Sequence, residues 1–116
     1  MKAKCEALCT LIEQQQRARL VADGMSSLLE GPHYHGKIKM GRKYCNIDFG
    51  GSGKYMVVLT TGQIFGIKAY GVIHRGHQFG TLDTINAWDW SGYNAIRYAD
   101  DMRPVYELAD EVANVG

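Results

Sequence analysis

All four histidines of the chain fall in two close pairs, His33-x-His35 and His74-x-x-His77. Either spacing could bring two imidazoles to one metal ion, because the neutral ring nitrogen is a good zinc ligand. Cys45, or a carboxylate such as Asp48, Asp83 or Asp89, would complete the set. Neither pair follows a recognised zinc spacing and no CxxC is present, so no metal and no cofactor is expected. A metal-free alternative makes His74 and His77 the acid and base of a hydrolase or phosphodiesterase, with Arg75 holding the phosphate. Phosphodiesterases of the two-histidine type repeat one motif, however, and here the two spacings differ. The enzyme reading is therefore the alternative, not the leading one.

Other familiar chemistry fails on inspection. Gly53-Lys54 runs into Tyr55 where a phosphate-binding loop needs Ser or Thr, and Asp48 stands where its first glycine should be. Lys54 occupies the last glycine position of a nucleophile elbow. Cys45 falls on the inward face of an expected strand, a poor setting for a reactive thiolate. Lys37, Lys39, Arg42, Lys43 and Lys54, with Tyr44, Tyr55, Phe65 and Tyr70, would give single-stranded nucleic acid a cationic stacking surface. The same charges on a sheet edge more often discourage aggregation.

The elements that must position these groups are legible in part. Leu8, Leu11, Ile12, Ala18, Ala22 and Met25, widened by Cys5 and Cys9, predict an amphipathic helix from residue 3 to about 23, with Gly24 as its stop. Gln15 interrupts the stripe, which argues against a coiled-coil seam. Residues 31–36 (GPHYHG) read as a loop and 37–40 as a short strand. Cys45, Ile47 and Phe49 alternate with Tyr44, Asn46 and Asp48, the pattern of a strand with one buried face over 42–49. YMVVL at 55–59 is apolar on both sides and suits a central strand. Thr61-Gly62 then signals a hairpin into a strand over 63–70, where Gly66 marks a bulge or a close backbone approach.

Beyond Gly71 the pattern loosens. Val72-Ile73 would extend the sheet, 74–80 reads as loop and 81–85 as a short strand or turn. Val105, Leu108, Ala109 and Val112 predict a C-terminal helix, with Pro104 in its first turn. The whole is one α+β domain spanning 1–116: an N-terminal helix packed on an antiparallel sheet of about three to five strands, with a C-terminal helix. Whether the first helix covers its own sheet or pairs with a second copy in a homodimer is left open.

Length and composition bound the function classes. At 116 residues the chain suits a single core. A formal net charge of +1 gives no global steering toward nucleic acid or anionic membrane. The longest apolar run, Met56 to Leu59, is too short to span a bilayer. The opening MKAKCEALC carries charges where a signal peptide needs an apolar core. Three cysteines suit a reduced compartment, so a cytoplasmic protein is expected.

GIKAYGVIHRGHQFGTLDTI at 66–85, followed by WDWSGY at 88–93, resembles the small accessory proteins of bacteriophages and mobile elements. Many of those are anti-defence inhibitors, including anti-CRISPR proteins. The resemblance implies a non-enzymatic binding protein acting by protein–protein contact, with a bacterial protein or nucleoprotein complex as partner. Tyr70, His74, Arg75, His77, Trp88 and Trp90 are the expected partner-binding surface, since Trp, Tyr and Arg dominate interface hot spots.

Overall fold

The computed structural model describes residues 1–31, 34–50, 52–92 and 94–98. The segment expected to form the C-terminal helix lies outside the described residues, as do His33 and Tyr93.

Helix α1 spans Lys2–Ala22 and buries Cys5, Leu8, Cys9, Ile12, Gln16 and Leu20. Its end is a glycine cap. Gly24 has φ +75°, its N–H donates to the Val21 carbonyl at 3.1 Å, and the Met25 N–H donates to the Leu20 carbonyl at 2.8 Å. That pair of bonds satisfies two of the carbonyls a helix terminus leaves open. The buried stripe departs from expectation past Ile12: it runs through Gln16 and Leu20, while Ala18, Ala22 and Met25 are exposed.

Among the described residues one antiparallel sheet holds β1 (Gly36–Met40), β2 (Tyr44–Phe49), β3 (Ser52–Val58), β4 (Gln63–Ala69) and β5 (Val72–Thr81), in sequence order. The fold is thus α+β, a helix on a five-stranded meander. A small hairpin of β6 (Trp88–Asp89) and β7 (Ile96–Arg97) follows. Residues 74–80 were expected as loop but belong to β5, one long strand whose pairing with β4 shifts register three times. Those shifts hide the alternation that would have betrayed a strand.

Direct cross-strand partners share a face, so the register sorts the side chains. Cys45 opposite Val57 and Val57 opposite Ile64 face α1 and join Leu8 and Ile12 in the core. A second row, Lys39–Asn46–Met56–Phe65–Gln78, crosses the other face. Gly36 brings β1 against the helix: a Cβ there would lie 2.5 Å from Cys9 Sγ and 2.8 Å from Phe49.

The segment after β5 closes the core. Trp90 is fully buried, with its indole meeting Tyr55 edge-on at 5.3 Å and its Nε1–H donating to the Ile85 carbonyl at 2.9 Å. Its backbone is held by consecutive glutamines of α1. The Trp90 N–H donates to Gln15 Oε1 at 2.6 Å, and Gln16 Nε2 donates to the Trp90 carbonyl at 3.5 Å. The Tyr55 hydroxyl accepts the Ala95 N–H at 3.1 Å. Gly80, at φ +71°, is required here, since a Cβ would run into Thr84 Oγ1 and the Trp88 indole nitrogen.

Two predictions follow from this packing. Trp90→Ala should lower the unfolding free energy by about 3–5 kcal/mol. Gln15→Ala, which strands the Trp90 N–H, should cost about 1–3 kcal/mol. Urea denaturation of each variant reads both.

A third prediction concerns the thiols. Cys5, Cys9 and Cys45 are free and buried between helix and sheet. Burial, reinforced by Glu13 and Asp48, pushes Cys9 up to about 11. Burial and the neighbouring Cys5 push Cys45 up to about 12. As pH rises past about 9, the thiols ionise first in the unfolded chain. The stabilisation is therefore complete below pH 9 and lost toward pH 11–12. Iodoacetamide should leave the native protein unlabelled at neutral pH and modify all three cysteines in denaturant. Thermal stability should fall from pH 9 upward.

Candidate functional site

The residues expected to form one surface are divided by the bulge in β5. Gly66 pairs with His74 while its neighbour Phe65 pairs with Gln78, so Arg75, Gly76 and His77 are extruded between them. The extrusion sends charge to one face and imidazole to the other.

On the outer face, the Arg75 guanidinium lies 5.8 Å from the centre of the Phe65 ring and donates to the Tyr44 hydroxyl at 3.5 Å. Beneath it, the cross-strand pair Met56 and Phe65 is only 2% and 5% exposed. Neither belongs to the helix-facing core cluster. A cation over an aromatic face is favourable and shields the ring from water. Tyr70, 53% exposed, passes beside Gly53 and donates its hydroxyl to Asp48 Oδ2 at 3.0 Å. A Cβ at Gly53 would stand 3.1 Å from the Tyr70 ring, so the glycine admits it. Asp48 Oδ1 is enclosed and has no hydrogen-bond partner among the described residues. Val72, half exposed, stands beside Tyr70 at the β4–β5 turn.

On the inner side, His74 and His77 stack with ring centroids 4.0 Å apart and planes at 21°. Gly66 makes room, because a Cβ there would sit 3.3 Å from His77 Cβ and 3.4 Å from Phe79. The stack extends the aromatic cluster of Phe79, Tyr55, Trp88 and Trp90 to its open end. It borders a cleft of about 780 Å³ between the end of α1, the bulged strands and the residues that follow Trp90. Arg19 and Asp23 line it from the helix, Ser52 and Lys54 from β3, and Ser91 and Asn94 from beyond Trp90. Arg19 and Asp23 are 3.9 Å apart. Lys54 is the extra residue of a second bulge, where the β2–β3 register shifts after Ile47, and burial lowers its pKa.

This geometry bears on each expected residue. Tyr70 and Arg75 share the outer face, and His74 and His77 share the cleft. Trp88 is half-buried at the core margin, and Trp90 is fully enclosed, so it offers no area to a partner. The cationic stacking surface is also divided: Tyr55 is inside the core, Phe65 is covered, and Lys54 lines the cleft. His35 sits 3.3 Å from Glu13, away from Cys45. Among the described residues no three His, Cys, Asp or Glu side chains converge as metal ligands. For acid–base work on a phosphodiester the pair is poorly arranged. Stacked rings stand side by side, not on opposite sides of a phosphorus, and Arg75 is on the other face of the sheet. The glutamine pair that holds Trp90 was missed, although Gln15 was marked by its position inside an apolar stripe.

No protein family, curated protein or solved structure matches this chain. No described helix is long and apolar enough to cross a membrane.

The Tyr70–Asp48 bond gives a direct check. The carboxylate accepting from the phenol, helped by partial desolvation and by its charge, raises the pKa of Tyr70 above the ordinary 10. In a spectrophotometric titration Tyr70 should ionise later than a free tyrosine, and Asp48→Asn should bring it back toward 10.

Proposed function

We propose that the protein acts by binding a protein partner through the outer face of the sheet, with Arg75, Tyr44 and Tyr70 ringed around the Met56–Phe65 pair. The observation that carries this reading is that pair. It is a second apolar centre, separate from the main core; among the described residues an arginine lies over its ring and is tied to a tyrosine. Helix α1 lies on the opposite face, and among the described residues the groups over this one are side chains of the sheet itself. Interfaces concentrate their binding energy in such places: aromatic residues and arginine around an apolar centre, inside a polar rim. Lys37 and Lys39 on β1, with Asp48 and Asn46 beside them, supply that rim.

The resemblance to phage accessory proteins makes a bacterial defence assembly the partner to test first, with inhibition as the consequence of binding. Nothing in this reading requires a bond to be made or broken.

The test is affinity capture from bacterial lysate with three proteins: the wild type, Arg75→Glu, and Glu6→Arg, an exposed helix position. A partner held by the wild type and by Glu6→Arg should be lost, by about tenfold or more in affinity, from Arg75→Glu. Equal retention by all three, or by none, would remove the outer face from consideration.

A further inference from the structure

The cleft on the inner side has a different chemistry from the outer face and calls for a different ligand. Its basic and imidazole side chains come from three elements: Arg19 from the last turn of α1, Lys54 from the β3 bulge, and His74 and His77 from the β5 bulge. Among the described residues that line it, Asp23 is the one carboxylate, and it stands 3.9 Å from Arg19. A lining with this balance favours an oxyanion, and a guanidinium matches a phosphate in both charge and shape.

The histidine stack adds a second recognition element. One face of the His77 ring is taken by His74 at 4.0 Å, and among the described residues no other ring stacks on it. His77 is nonetheless exposed and lines the cleft, with Phe79 meeting it edge-on at 6.5 Å, so a planar ring can reach its imidazole. Stacking of a base on such a platform is favourable and tolerant of base identity. A cleft of about 780 Å³ is of the size that encloses one small molecule.

We propose that this cleft binds a nucleoside phosphate, the base stacked on His77 and the phosphate held by the cationic lining, chiefly Arg19. Each half depends on a different bulge or helix turn, so each can be removed alone. The site is independent of the outer-face reading, since it lies on the other side of the sheet and uses none of its residues.

Isothermal titration with AMP, adenosine and inorganic phosphate tests the proposal on the full chain. AMP should bind saturably and at least about tenfold more tightly than either fragment, a difference of roughly 1.4 kcal/mol. His77→Ala should abolish the advantage of AMP over phosphate, and Arg19→Gln its advantage over adenosine. Unchanged thermal melting of both variants would show that the fold is intact. Failure of AMP to saturate at millimolar concentration overturns the proposal. So does equal binding of AMP and one fragment, or an unchanged AMP affinity in both variants.

Discussion

The grip of α1 on the Trp90 backbone is the constraint on which the other contacts depend. A buried peptide group needs partners for both its N–H and its carbonyl, and here two adjacent side chains of one helix turn supply them. With the backbone fixed, the indole enters the space between helix and sheet, where Tyr55 and Phe79 meet it edge-on. Tyr55 in turn holds Ala95, so the chain is anchored on either side of Ser91, Gly92 and Asn94. Those three residues line one wall of the cleft. The clamp therefore sets the core and the cavity together.

The second organising feature is the pair of bulges. Each adds residues to one strand without breaking the sheet, turning side chains away from the alternation that flat pairing would impose. In β3 the bulge turns a lysine into the cleft. In β5 it divides three consecutive residues, giving Arg75 to one face and His77 to the other. Two surfaces of unlike chemistry thus arise from one stretch of sequence, because glycines at 66 and 76 permit close approach. At Gly76 a Cβ would come within 3.1 Å of the His74 ring.

The sequence was most readable where one periodicity held without interruption. Cys45, Ile47 and Phe49 announced β2 because every second residue is buried, and the first half of α1 was equally plain. Residues 74–80 of β5 read as loop because its register shifts and glycines erase the period of two. Gln15 reads as a flaw in an apolar stripe and Gln16 gives no signal, since hydrophobic patterning has no sign for a polar residue that is buried to serve a distant peptide. Trp90 reads as surface from its residue type, whereas its indole packs in the core and its backbone is held by those same glutamines. The candidate site was legible as a segment but not as a geometry: nothing in His74-Arg75-Gly76-His77 says that its charge and its imidazoles part company.

The clamp joins Gln15 to Trp90 across 75 positions of the chain. An N-terminal helix attached to its sheet by apolar contacts alone could lift off and be exchanged with that of another copy. Here such an exchange would have to undo the polar bonds to Trp90 as well as the core. The N-terminal helix and the segment after β6 are thereby bound into one cooperative unit. A cut anywhere between them would leave two fragments that each lack the other's partner for a buried group.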